Sequence, residues 1–225
     1  WREVLNYPRE VIASTAQAIL EEVTTSFILH WIKMTKCKNI ALAGGVFANV
    51  KLNQRLMEHE MVEDIWIAPN MGDGGLAVGA LMSHIQPDPH QISNVYWGNS
   101  LGRIDVRRAI SRSHIEPIRK DVVQKVAQIL SQNKYVAVCK DRMEWGPRAL
   151  GNRSIFALAN DVDCNEKLNA KLNRSEFMPF APVVRSEDRE RFFIGLQKAE
   201  YASRFMTVCC QVTKEFKKQA PAATH

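Results

Sequence analysis

Apolar residues first recur at helical spacing. From residue 8 onward Ile12, Ala16, Ile19, Leu20, Val23, Phe27 and Trp31 fall at three- and four-residue steps, predicting an amphipathic helix that ends in the basic stretch 33–38. The pattern then changes: residues 38–43 (K-N-I-A-L-A) predict a buried strand, closed by Gly44-Gly45. A second helix is expected from Ala48, with Asn49 in its first turn and Leu52 and Leu56 inward, and residues 64–68 (D-I-W-I-A) predict a strand ended by Pro69. In M-G-D-G-G-L-A-V-G-A-L (71–81), Asp73 sits between glycines at the entry to a small-residue helix, in which Gly75 and Gly79 would allow tight packing. Strands alternating with helices indicate an α/β fold.

Residues 86–99 carry Pro87, Pro89 and Gly98 and few apolar positions before Tyr96, so they read as a connector dividing the chain into 1–90 and 91–225. Beyond it the pattern predicts a helix at 122–130, a strand at 135–139, a strand at 155–159 and a helix at 163–172. A proline-punctuated extended segment follows at 173–183, then a strand-like run at 205–212 with Cys209-Cys210 as buried strand residues.

The densest chemistry lies between the strands at 135–139 and 155–159. Residues 141–155 read D-R-M-E-W-G-P-R-A-L-G-N-R-S-I, with Arg142, Arg148, Arg153 and Glu144 on a turn punctuated by Gly146-Pro147. Pro147 suits the first position of a short helix. Arginines at a turn are commonly solvated surface charges. Here Met143, Trp145 and Leu150 are interleaved with them, which implies a packed loop, and packed guanidinium groups need partners. Guanidinium forks and exposed backbone N–H groups around one point suit a multiply charged anion. Glu144 is expected to orient an arginine, and Asn152 and Ser154 to donate hydrogen bonds.

In the first half, strand, Gly44-Gly45 and helix form the arrangement that receives a phosphate, although Gly-Gly after a strand also serves as a plain turn. Asp73 either caps a helix or faces a metal or phosphate where Gly74 and Gly75 let a ligand come close. His30 is alone on its helix, and metal sites need several converging groups.

Composition narrows the partners. The 225 residues allow one large or two modest domains, and 46% hydrophobic and 24% charged residues are ordinary for a soluble protein. No apolar run reaches the roughly 18–20 residues of a membrane span. A net charge of +6 favours anionic partners, phosphates as well as nucleic acid. A basic helix and an interleaved aromatic platform are lacking, which argues against nucleic acid. Five cysteines without a C-x-x-C suggest reduced thiols and a cytoplasmic location. The first residue is Trp1, so a fragment of a longer protein is expected.

M-E-W-G-P-R-A-L-G-N-R-S-I (143–155) resembles the signature opening the C-terminal domain of the O-carbamoyltransferases of antibiotic, nodulation-factor and related biosynthesis. A-L-A-G-G-V-F-A-N-V-K-L-N (41–53) and G-D-G-G-L-A-V-G-A-L (72–81) resemble the last part of that family's N-terminal domain, and Y-W-G-N-S (96–100) the passage between domains. The resemblance implies the end of an actin/sugar-kinase-like ATPase domain, followed by part of an α+β domain like threonylcarbamoyl-adenylate synthase. It implies that ATP and carbamoyl phosphate give carbamoyl-adenylate, and that the carbamoyl group then passes to a hydroxyl of a small-molecule acceptor.

For that chemistry Arg142, Arg148 and Arg153 are assigned to phosphate and carbamoyl binding, with Lys140 a further candidate that departs from the family. Gly44, Gly45, Asn49, Gly74 and Gly75 are implied at the nucleotide, Asp73 at iron or a similar divalent metal, and His225, ending P-A-A-T-H, at the active site. The metal's H-x-x-x-H partner motif is absent here, so this stretch alone is expected to be inactive in transfer. Neither nucleic acid nor membrane is an implied partner; a homodimer is compatible.

Four positions depart from the family pattern. Met178 stands where arginine is usual, Val184 breaks a Ser-Val-Leu spacing, and Lys140-Asp141 replaces Gln-Gly. Asp141 would repel a phosphate unless paired with Lys140 or Arg142. The other reading is a catalytically silent nucleotide- or anion-binding module.

Overall fold

The computed structural model describes residues 4–88, 91–100, 102–113, 117–118, 120–174 and 178–224. The chain is mixed α/β with small sheets and forms two compact units, Trp1–Gln86 with Gly195–Cys210 and Pro87–Ile194 with Gln211–His225.

In the first unit, α1 (Arg9–Thr35) ends on the left-handed Lys36, whose N–H donates to Ile32 O. β1 (Asn39–Leu42) and β2 (Asp64–Ile67) pair in parallel, Asn39 opposite Asp64 and Leu42 opposite Ile67, joined through α2 (Val50–Glu58). Leu52, Leu56 and Met57 of α2 pack with Ile65 and Ile67 of β2, Val62, and Ile28 and Ile32 of α1. The strands are apolar because helices and turns cover them, as in parallel sheets generally. Of the apolar residues at helical spacing, Ile19, Val23, Phe27 and Trp31 are exposed and Leu20 packs against the core, while Glu21, Ile28 and Ile32 are buried. Apolar residues occur in adjacent pairs at 27–28 and 31–32, so helical spacing fits either of two faces. α3 (Leu76–Ile85) also leaves Leu76, Leu81 and Ile85 exposed, and a Cβ on Gly79 would meet nothing within 4 Å, so the expected tight packing there is not seen. Among the described residues no helix is long and apolar enough to cross a membrane.

The second unit holds α4 (Arg103–Ser111), α5 (Val122–Ser131) and the antiparallel pair β3 (Val136–Cys139) and β4 (Arg153–Phe156), with Val136 opposite Phe156 and Cys139 opposite Arg153. β4 starts two residues before the predicted strand and so includes the last arginine of the loop. Residues 141–152 form bends and contain no helix, so Pro147 punctuates without nucleating. α6 (Cys164–Lys171) buries Cys164, Asn165, Leu168 and Asn169. Within 173–183, residues 178–183 have no regular structure, consistent with Pro179 and Pro182. α7 (Arg189–Phe192) leads into β5 (Phe193–Ile194).

Residues 195–210 belong to the first unit. After Gly195 a 3-10 turn and α8 (Glu200–Ser203) bury Ala199, Ala202 and Phe205. Tyr201 stacks on Trp66 of β2 with ring centroids 6.1 Å apart, and Lys198 Nζ donates to His59 O at 3.1 Å. The strand expected at 205–212 shrinks to β6 (Gln211–Val212), which pairs antiparallel with β5. The N–H groups of Phe205, Met206 and Cys209 donate to Ala202, Ser203 and Val50 O, and Asn53 Nδ2 donates to Thr207 O, in place of a strand ladder. Cys209 is therefore exposed and Cys210 half-buried, and neither lies in a strand; burial and the neighbouring Cys209 push the Cys210 thiol up to about 11. α9 (Lys214–Gln219), capped by Thr213, seats Phe216 between Phe192 and Phe193.

Candidate functional site

The loop between β3 and β4 is built around Glu144. Its carboxylate is 7% exposed, and Oε1 accepts from the backbone N–H groups of Leu150 (2.8 Å), Asn152 (2.8 Å) and Arg153 (3.1 Å). Burial pushes the Glu144 pKa up, but these N–H donors together outweigh it and hold the group below its ordinary value. Gly151 N–H donates to Ser154 Oγ at 2.9 Å, and Asn152, 2% exposed, donates from Nδ2 to Arg142 O at 2.7 Å. Two expectations change. Glu144 orients the backbone rather than a guanidinium, and the N–H groups of residues 150–153 are taken up inside the loop. Those four N–H groups are thus not available to an anion.

The arginines divide the work. Arg142 Nε donates to Gly98 O (3.0 Å) and Nη2 to Trp97 O (2.9 Å), which uses two of the five donors of a guanidinium. Arg153 Nη1 donates to Lys140 O and Asn152 O and Nη2 to Asp141 O, so this side chain clamps the turn onto the end of β3. Arg148 is half-buried on the same loop. Lys140 Nζ stands 3.9 Å from Asp141 Oδ2 with both side chains largely exposed, a pairing that only weakly offsets the aspartate's charge.

The connector takes part in the site. Trp145 N–H donates to Val95 O (2.6 Å), Gly98 N–H to Met143 O (2.9 Å), and Ser100 bridges Arg142. Tyr96 Oη–H donates to Leu150 O at 2.8 Å, and the indoles of Trp97 and Trp145 stack at 4.9 Å, tilted by 22°. Composition marked residues 86–99 as a linker because their bonds are made by backbone groups, which residue type does not reveal. The aromatic pair Tyr96-Trp97 was the available signal.

The first unit brings Gly44, Gly45 and Asp73 to the carboxyl ends of its parallel strands, where open α/β sheets receive ligands. Gly44 N–H donates to Met71 O at 2.6 Å, joining the two turns. Gly44 has φ +115°, so the turn needs glycine there, although a Cβ would point into open space. Gly74 and Gly75 answer a different need: a Cβ on Gly75 would sit 2.1 Å from Asn70 O, and one on Gly74 would meet the Asn70 side chain. Gly75→Ala is accordingly expected to cost about 2–3 kcal/mol, read as a lower urea midpoint. Asn49 Oδ1 accepts from Leu52 N–H, capping α2, and its amide exchanges hydrogen bonds with Gln17 at 2.7 and 3.2 Å. Gln17 also donates to the buried Glu21, which pairs with Arg55. The Gln17 bond lowers the Glu21 pKa, against burial and with help from Arg55. Sequence spacing did not disclose this network.

Asp73 is exposed, and neither adjacent helical turn uses a side-chain cap. Among the described residues no three His, Cys, Asp or Glu side chains group as metal ligands, so the residues present do not by themselves make a divalent-metal site. His225 lies outside the described residues.

Residues 3–82 match the family described as carbamoyltransferase N-terminus, and residues 127–225 that described as carbamoyltransferase C-terminus. The nodulation protein NolNO of Sinorhizobium fredii is 33% identical over 227 positions, covering 95% of this chain and 33% of its own length. The nodulation protein NolO of Bradyrhizobium diazoefficiens is 33% identical over 195 positions, 82% of this chain and 35% of its own. An uncharacterized protein of Methanocaldococcus jannaschii is 32% identical across all of this chain and 38% of its own. The chain thus spans about a third of the length of the curated relatives it matches, and it belongs to the carbamoyltransferase family.

Proposed function

We propose that the protein to which this stretch belongs makes carbamoyl-adenylate at the arginine loop and transfers the carbamoyl group to a hydroxyl of a small-molecule acceptor. ATP, carbamoyl phosphate and water become carbamoyl-adenylate, pyrophosphate and inorganic phosphate; the acceptor oxygen then attacks the carbamoyl carbon and AMP leaves. The observation that carries this reading is the loop itself, with Arg142, Arg148 and Arg153 fixed on a backbone that Glu144 holds. Both reactants are anions whose repulsion must be offset before they meet, and guanidinium groups already in place offset it without reorganising.

In this assignment Arg148 and the remaining donors of Arg142 take phosphate oxygens, Arg153 holds the loop, and Lys140 supplies charge at the rim. Gly44 and Gly45 admit the adenylate in the first unit, and Asn49 fixes the helix that follows them. Asp73 is one metal-facing carboxylate, whose companions are not grouped with it among the described residues. The finer folds that fit are the end of an actin/sugar-kinase-like domain and part of a threonylcarbamoyl-adenylate-synthase-like domain, in a cytoplasmic protein.

The test is carbamoyl-phosphate-dependent ATP consumption by the full-length protein. Arg148→Ala is expected to lower it about a hundredfold, the scale of losing one charge-stabilising donor. ATP binding without any carbamoyl-phosphate-dependent consumption would reject the reading in favour of a silent nucleotide-binding module.

A further inference from the structure

The stacked indoles lie against the arginine loop, and the proposed activity leaves them without a task. Trp97 is the outer ring of the pair and is 36% exposed, whereas Trp145 is more covered. Exposing an indole forgoes favourable burial, yet the backbone that carries this one is tied to the loop. Its own carbonyl takes Arg142 Nη2, the next carbonyl takes Arg142 Nε, and the preceding Tyr96 is anchored through its hydroxyl to Leu150 O. Trp145 backs the ring at 4.9 Å. Arg142 thus joins a flat aromatic surface to the proposed phosphate side chains within one hydrogen bond. A ligand fitting both halves carries a π-face a few bonds from a polyanion.

We infer that Trp97, backed by Trp145, is the stacking ledge for the purine base of the nucleotide whose phosphates meet Arg142 and Arg148. The inference deepens the proposed function and rests on it. Stacking of a base on an aromatic side chain contributes about 1–3 kcal/mol, so the ledge should account for roughly a tenfold share of nucleotide affinity. It contributes nothing to an anion that has no base.

The test uses the full-length protein and follows the ATP binding that Arg148→Ala removes, with inorganic tripolyphosphate as the baseless probe at the same site. Trp97→Leu is expected to raise the ATP Kd about tenfold and to leave the tripolyphosphate Kd unchanged, and Trp97→Phe to regain most of the loss. ATP binding to Trp97→Leu as tight as to the wild type overturns the ledge and leaves the anion site standing. Equal loss of ATP and tripolyphosphate in both variants also overturns it, since Trp97 would then only support the loop. A wild-type protein with no Arg148-dependent binding of either probe overturns the ledge together with the activity on which it rests.

Discussion

Glu144→Gln is expected to lower carbamoyl-phosphate-dependent ATP consumption of the full-length protein by about a thousandfold and to open the arginine loop. One carboxylate oxygen accepts three backbone N–H groups there, from Leu150, Asn152 and Arg153. Hydrogen bonds to a charged acceptor contribute about 1.5–3 kcal/mol each, and a neutral amide in the same place recovers only part. Because the freed N–H groups can turn to water, the net local cost is roughly 3–4 kcal/mol rather than the full sum. Amide hydrogen exchange checks this without reference to activity: these three N–H groups should be protected in the wild type and exchange about a hundredfold faster in Glu144→Gln. Equal protection in both would remove Glu144 from the centre of the loop.

The pH dependence has a fixed sign. Folding holds the Glu144 pKa below its ordinary 4.5, so its contribution is complete above about pH 4.5 and is lost as pH falls through the lower folded value. Protection of the loop should therefore fade in acid for the wild type and stay flat for Glu144→Gln.

The first strand–turn–helix was legible because its pattern is local: an apolar run, two glycines and Leu52 and Leu56 at helical spacing fix β1, the turn and α2. The arginine loop was legible as charge trapped among apolar residues. Its internal wiring was not, since nothing in residue type separates a carboxylate that binds guanidinium from one that binds three amides. The choice at Glu144 is made by the reversal of the chain at 146–151, which brings N–H groups closer than any arginine. The buried face of α1 was not legible for another reason. Adjacent apolar pairs give two faces equal periodicity, and only packing against α2 selects Ile28 and Ile32. Residues 205–209 read as a strand because apolar runs of that length do not distinguish a ladder from a buried irregular segment. Tertiary bonds to Val50 and Asn53, some 150 residues earlier, decided it.

That last contact carries the second large effect. Asn53 is fully buried on α2, and its Nδ2 donates to Phe47 O at 2.8 Å and to Thr207 O at 2.7 Å. One amide thus fastens both the turn after Gly44-Gly45 and residues 195–210 to the core of the first unit. Asn53→Ala strands two carbonyls, at about 1–3 kcal/mol each, and leaves a small void, so a loss of about 4 kcal/mol is expected. Thr207→Val removes one hydrogen bond, from Thr207 Oγ1 to Ala202 O at 2.8 Å, while keeping the side chain's shape, and should cost only about 1–2 kcal/mol. Urea denaturation ranks the two. Limited proteolysis locates the effect: Asn53→Ala should be cut within 195–210 under conditions in which the wild type resists. If cleavage falls elsewhere while stability drops by the same amount, Asn53 serves the core alone and residues 195–210 are held by the Tyr201–Trp66 stack and the Lys198 bond. If it falls there, the adenylate affinity proposed for the diglycine turn should fall in step, because Phe47 N–H closes that turn on Gly44 O.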